Sequence, residues 1–243
     1  MLLDGCFRAT SSEPSPRSTV TQSVRFTGID PEPLLVNKAT VSVLDALDLD
    51  RAHVVGMSLG STLAQLLLLG HPERLRSATL MGARALGTFA PGPDTPDLPG
   101  PDRRVFRVFE QMGQERDREA EIAWRVENWR LFNGDVLAFD PEEFRRIEER
   151  AIDHSGCHEF PVTHSRLSPT GLDRAAELGK ASTPALVIEG PEDPINPPPH
   201  ARYLAGLIPN TQLVTVPGMG HALSSAVLTP VTEAILAHTT HHH

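Results

Sequence analysis

RAHVVGMSLGSTLAQLLLLGHP, residues 51–72, holds an apolar run, a glycine–serine turn and a helical pattern in immediate succession. Its opening, RAHVVG, is a short apolar run with adjacent valines, which predicts a strand. STLAQLLLLGHP then reads as a helix, with Gly70 past its end and Pro72 forbidding continuation. Between them lies Gly56-Met57-Ser58-Leu59-Gly60. At a strand-to-helix junction this spacing describes a sharp turn. Each glycine sits where a Cβ is unwelcome, and the serine is held strained with its hydroxyl at the carboxyl edge of the sheet. Ser58 is the candidate nucleophile, and the N–H of Leu59 a candidate donor to an oxyanion. An ordinary glycine-rich turn is the competing reading, but strand and helix fall where a nucleophile turn requires them.

On the N-terminal side, LLVNKATVSVLDALD (34–48) places Val36, Thr40, Val43, Leu44 and Leu47 at helical spacing. Before it, SSEPSPRSTVTQS is Ser/Thr/Pro-rich without periodicity and reads as loop or disorder. On the C-terminal side SATLMG (77–82) is the next strand. A Pro/Gly-rich stretch at 84–101 then interrupts the rhythm. Three helical patterns follow, marked by Val105, Phe109 and Met112, by Ile122, Val126 and Trp129, and by Phe144, Ile147 and Ala151 behind an Asp140 N-cap and Pro141. Alternation resumes with strand PALVIEG (184–190), a helix near 198–207, strand QLVTVPG (212–218) and a last helix opened by Thr229 and Pro230. Strands alternating with helices predict an α/β fold with a doubly wound parallel sheet. The expected organisation is a poorly defined segment at 1–33, a core at 34–88 and 171–243, and an inserted helical cap at 89–170. The terminal His241, His242 and His243 are set aside.

A serine hydroxyl needs a base, and the base needs an acid to fix its tautomer. In sheets of this type they follow the serine at the carboxyl ends of later strands. After PALVIEG comes Pro191-Glu192-Asp193-Pro194, and after QLVTVPG comes Met219-Gly220-His221. His221 is the candidate base. Asp193 is preferred over Glu192 as the acid because Pro194 marks a rigid turn. No acid follows SATLMG until Asp94, which argues against that strand as its source. His154, Cys157 and His158 cluster by composition, but their spacing fits no strong zinc pattern, and no phosphate-binding glycine motif occurs; neither a metal site nor nucleotide chemistry is expected. Aromatic residues at helical spacing are more often core than ligand box. A cap over the sheet edge nevertheless lines a pocket, so Trp124, Trp129 and Met57, beside the nucleophile, are candidate substrate contacts.

Composition narrows the setting. The 243 residues carry 22 basic and 31 acidic side chains, for a formal charge of −9. This argues against a nucleic-acid or anionic-membrane partner, both of which need clustered cations. Two cysteines, Cys6 and Cys157, are too few for a disulfide framework. No apolar run reaches the ~20 residues of a membrane helix, and the N-terminus has no basic signal region. A cytoplasmic protein acting on a small molecule is the expectation.

With these residues placed, the chain from about residue 34 onward resembles the α/β-hydrolase superfamily. Within it, RAHVVGMSLGSTLAQ, EERAIDHSG, PALVIEGPEDPINPPPHARYLAGLIP and PGMGHAL are similar to segments of the aclacinomycin methylesterases of anthracycline biosynthesis. The resemblance implies a cofactor-free esterase that removes a methyl ester from a polycyclic aromatic polyketide. Ser58 would match the nucleophile, Asp193 the acid and His221 the base, with the cap over a flat, glycosylated ring system. Other hydrolysis on the same triad, of a C–C bond or a lactone, is the first alternative, and a non-catalytic or truncated binding protein the second.

One departure shapes a further expectation. The family has about four strands before the nucleophile strand, whereas Gly56 here follows only 55 residues, with one weak candidate, SVRFTG (23–28). The sheet is therefore expected to be truncated before that strand, or its first ~30 residues to be unrelated to the family. The strand would then have an open edge prone to self-association. The HG-type loop that supplies a second oxyanion donor is not found either, which would weaken turnover.

Overall fold

The computed structural model describes residues 33–88, 96–160 and 171–242. SVRFTG and the rest of 1–32 lie outside them. The elements, in chain order, are α1 (Pro33–Ala46), β1 (Ala52–Met57), α2 (Leu59–Gly70), β2 (Leu75–Met81), α3 (Arg103–Gln111), α4 (Arg118–Asn133), α5 (Pro141–Ser155), β3 (Ala185–Glu189), α6 (His200–Leu207), β4 (Thr211–Thr215) and α7 (Ser225–Thr240). The four strands form one parallel sheet in the order β1-β2-β3-β4. The register places Met57 beside Met81, Met81 beside Ile188, and Ile188 beside Val214. All four strands therefore end on one line, and the residues just beyond that line meet.

The period of two along each strand sorts the core into two faces. Leu80 on β2 and Ala185 and Val187 on β3 join Leu63, Leu66 and Leu67 of α2 and Leu204 of α6. Met81, Leu186 and Ile188 face the other way, onto Val227 and Val231 of α7. With helices on both faces, the inner strand β3 is buried along its whole length and β2 at every position but Arg76, as parallel sheets require. Among the described residues β1 pairs only with β2, and Val55 on it is 49% exposed.

Helices α3, α4 and α5 lie between β2 and β3 in the chain. Each begins on an aspartate whose carboxylate accepts a first-turn N–H: Asp102 from Arg104, Asp117 from Ala120 and Asp140 from Glu142. Phe144, Ile122 and Ile152 pack between α4 and α5 together with Ala222 from the segment after β4. Burying a side chain such as Phe144 contributes roughly 1.5–3 kcal/mol. The same helix pair buries Arg125, which donates to Glu121 and Glu148 and to the His158 carbonyl. Among the described residues no helix is long and apolar enough to cross a membrane.

Three sequence expectations need correction. On α3, Val105 and Val108 are buried, while Phe109, expected on the inner face, is 44% exposed. The Asp102 N–H bonds the Pro194 carbonyl just before this nine-residue helix, a long-range contact that periodicity does not register. Helix α7 begins at Ser225, so Pro230 lies inside it and removes one internal hydrogen bond rather than opening the helix. Gly70 is the last residue of α2, and His71 is its cap.

Candidate hydrolase active site

Ser58 sits between β1 and α2 with φ 55° and ψ −119°, a backbone conformation that costs an L-residue on the order of 1–3 kcal/mol. Its surroundings hold it there. The Ser58 N–H donates to the Met81 carbonyl at 2.9 Å, and its own carbonyl accepts from Ser61 and Thr62 in the first turn of α2. The two glycines play unequal parts. A Cβ on Gly56 would run into the Gly60 carbonyl, so the turn closes only over a bare α-carbon. A Cβ on Gly60 would meet nothing among the described residues, which corrects the expectation that both positions exclude one. Leu59 opens α2, so its N–H belongs to the set that a helix leaves without an internal acceptor.

Asp193 and His221 are brought together from the ends of β3 and β4. His221 Nδ1 lies 2.8 Å from Asp193 Oδ2, and both side chains are buried. The other carboxylate oxygen accepts the N–H groups of Ile195 and Asn196 at 2.8 and 2.9 Å. Burial pushes the Asp193 carboxyl up, but the His221 imidazole and these two N–H groups outweigh it, leaving Asp193 below the usual carboxylate range. An acceptor at Nδ1 assigns the proton there, so the neutral ring presents Nε2 as its acceptor. The His221 N–H is tied to the Phe132 carbonyl at 2.6 Å, and the Phe132 ring stands edge-on to the imidazole at 6.2 Å.

Ser58 at the end of β1 and this pair at the ends of β3 and β4 are linked through the end of β2. The Met81 carbonyl that holds the Ser58 N–H belongs to the residue before Gly82. A Cβ on Gly82, whose φ is +51°, would fall 2.8 Å from His221 Cε1 and 2.9 Å from Nδ1. Glycine is thus required there for both conformation and space. Glu192, the competing acid, engages through its backbone N–H, which donates to the Met219 carbonyl.

The remaining sequence candidates are placed as follows. Met57 is half-buried at the end of β1 and packs on the α7 face of the sheet. Trp124 donates to Gln111 Oε1 and lies under Arg116. Trp129 donates to Glu148 Oε1, stacks on Phe144 and stands edge-on to Phe132. Both indole N–H groups are thus engaged within the helical insertion, and Trp129 reaches His221 through Phe132. Cys157 donates to Glu159, and His158 contacts the Arg116 carbonyl; among the described residues no group of three or more such side chains could hold a metal ion. A groove of about 660 Å³ lies between α5 and the start of α7, lined by residues including Asp140, Arg146, Ile147, Arg150, Leu223 and Leu228, and none of Ser58, Asp193 or His221 lines it. Sequence reasoning missed Gly82, Phe132 and Asn196. A glycine closing an apolar strand signals the first; nothing local signals the other two.

A strained serine between strand and helix, with an Asp–His pair at the following strand ends of a parallel sheet, defines a hydrolase of the α/β type. The family model described as "alpha/beta hydrolase fold" matches residues 35–225, and the chain belongs to that family. It is similar to two curated proteins named rhodomycin D methylesterase. It is 42% identical over 209 residues to DauP of Streptomyces sp. (strain C5), covering 82% of this chain and 70% of that protein. It is 41% identical to DnrP of Streptomyces peucetius with the same coverage. A solved alpha/beta fold family hydrolase from Bacillus anthracis shares the fold, with a TM-score of 0.64 over 85% of this chain and 73% of that one at 16% identity.

Proposed function

We propose that this protein is a serine-dependent carboxylic ester hydrolase that removes a methyl ester from a polycyclic aromatic polyketide of the anthracycline type. The observation that carries the chemistry is the buried Asp193–His221 hydrogen bond, in a chain whose Ser58 is held at positive φ between strand and helix. The likeness to two rhodomycin D methylesterases supports the substrate class. Ser58 Oγ attacks the ester carbonyl while His221 Nε2 takes its proton, and Asp193 steadies the imidazolium. Negative charge develops on the former carbonyl oxygen, where the Leu59 N–H is one donor. The intermediate collapses as His221 returns the proton to the departing methoxide, releasing methanol and leaving an acyl group on Ser58. A water deprotonated by His221 then attacks the acyl carbon, the Ser58–acyl bond breaks with proton return to Oγ, and the carboxylic acid leaves. Nucleophile, base and acid all come from the chain, so no cofactor enters these steps.

A fluorophosphonate probe tests the nucleophile: it should label the wild type at Ser58 and leave Ser58→Ala unlabelled. Product analysis tests the reaction. Methanol and free acid in equal amounts from an anthracycline methyl ester support the reading. Turnover only of a vinylogous diketone or a lactone would move the reaction to a different bond on the same triad. Absence of labelling together with no turnover of any of these would point to a binding protein. A cytoplasmic site of action belongs to the same proposal, and recovery of the native protein outside the cytosolic fraction would overturn it.

A further inference from the structure

Asp193 folds the chain around its own carboxylate: Oδ1 gathers the N–H groups of Ile195 and Asn196 into a tight turn. Those bonds shape the turn but do not locate it over the sheet. The Asn196 side chain does. Its Nδ2 donates to the Gly82 carbonyl at 2.7 Å, and its Oδ1 accepts from Arg84 Nε at 2.6 Å. A carbonyl can only accept and a guanidinium can only donate, so a single amide orientation satisfies both. The same guanidinium reaches the Ile195 carbonyl through Nη2 at 3.1 Å and the Thr88 carbonyl through Nη1 at 3.3 Å. Arg84 thus grips the two residues whose N–H groups hold Asp193.

The other end of this line is equally secured. Gln65, fully buried on α2, donates to the Arg84 carbonyl at 2.9 Å and accepts the Leu86 N–H at 3.1 Å. Helix α2 is the helix that starts at the Ser58 turn. A continuous hydrogen-bonded path therefore runs from the nucleophile's helix, through residues 84–86, to the loop carrying the acid. Asn196 also ties that loop to Gly82, the residue against which the His221 ring rests.

We infer that Asn196, clamped by Arg84, is a positioning residue that holds Asp193 in register with His221 and Ser58. The inference rests on the triad proposed above. Neither side chain takes part in proton transfer, so their removal acts through Asp193. Misplacing a reacting group by ~1 Å costs on the order of 10²-fold in rate. Asn196→Ala is therefore expected to lower kcat for an aryl acetate and a methyl ester by about 10–100-fold, with KM changed less than about twofold. In the double variant with Asp193→Asn, the loss should be no greater than in Asp193→Asn alone, because a misplaced acid and an absent one fail in the same way. A merely structural role would instead multiply the two losses. Proton NMR supplies a second readout independent of turnover: the low-field resonance of the His221 Nδ1–H should shift or exchange faster in Asn196→Ala. Should that variant fold poorly, Arg84→Lys, which keeps the charge but loses the fork, is expected to show the same pattern more weakly. Wild-type kcat together with an unchanged low-field resonance in a folded Asn196→Ala or Arg84→Lys variant would overturn the inference, as would multiplicative losses. Retained turnover in Asp193→Asn or Ser58→Ala would instead overturn the triad itself.

Discussion

Replacing Gly82 by alanine tests whether the position of His221 matters to the chemistry. Gly82 has φ +51°, which costs an L-residue about 1–2 kcal/mol. The added Cβ would lie 2.8 Å from His221 Cε1, whereas carbon atoms rest at roughly 3.5–4.0 Å, so relief requires a shift of about 0.7 Å or more. The Gly82 side of the contact is held by the Asn196 bond to its carbonyl and by the sheet before it. The imidazole is the part that yields, and its 2.8 Å bond to Asp193 is lost or bent. With ~10²-fold per ångström of misplacement, kcat is expected to fall by roughly 10–100-fold. The melting temperature should fall by roughly 2–8 °C, from 1–2 kcal/mol in a chain of this size. Gly156→Ala is the control. Its φ is +68° and its Cβ would meet nothing within 4 Å, so it should lose similar stability and no activity. Steady-state hydrolysis of an aryl acetate and thermal melting, run on both variants, decide the matter. A folded Gly82→Ala enzyme with kcat within about twofold of wild type would show that turnover does not depend on the His221 position that Gly82 permits.

Four further outcomes are expected. Asp193→Asn should lower kcat by up to about 10⁴-fold by presenting the wrong tautomer of the base, while Glu192→Gln should change it less than about twofold; the reverse order would move the acid to Glu192. Burial, aided by the charge of His242, holds His238 below the ordinary histidine range, and burial, aided by Arg84, does the same for His200. The unfolded chain then binds protons near pH ~6.5 that the folded chain does not, so stability is full above that pH and declines below it. Melting curves from pH 8 to 5 should show this decline, and it should be shallower in His238→Leu. Arg125→Met removes the cation shared by the buried carboxylates of Glu121 and Glu148, leaving Arg116 to the first and the Trp129 indole to the second, and should cost up to about 3–5 kcal/mol in denaturant unfolding. We also propose that copies of this chain self-associate through the β1 edge; Val55→Lys should then shift sedimentation toward the monomer, and an unchanged profile would count against that edge.

How much of this was legible depends on the range of the interaction involved. The Ser58 turn is local: glycine, serine and a strand-to-helix change within ten residues specify it, and the observed φ of 55° bears out the strain expected there. The Asp140–Pro141 start of α5 was legible for the same reason, since a cap needs only its next two residues. Asp193 and His221 were reached by a longer rule, that chemistry collects at the carboxyl ends of parallel strands, and the register of the four strands brings those ends into line. Helix faces were less legible. Phe109 and Val108 are equally plausible inward residues from periodicity alone, and it is Val108 that tertiary packing buries.

The sequence by itself therefore determined the class of fold, the glycine–serine turn at Ser58 and the placing of Asp193 and His221 after successive strands, because each follows from the chemistry of neighbouring residues or from strand succession. The tertiary structure alone decided which of two adjacent carboxylates meets the histidine, and why Gly82 must lack a side chain. It also decided that an arginine and an asparagine 112 positions apart clamp the acid loop. Those outcomes depend on ångström-scale distances between segments far apart in the chain. Hydrogen bonds and steric exclusion operate at that scale, and composition and periodicity do not register it.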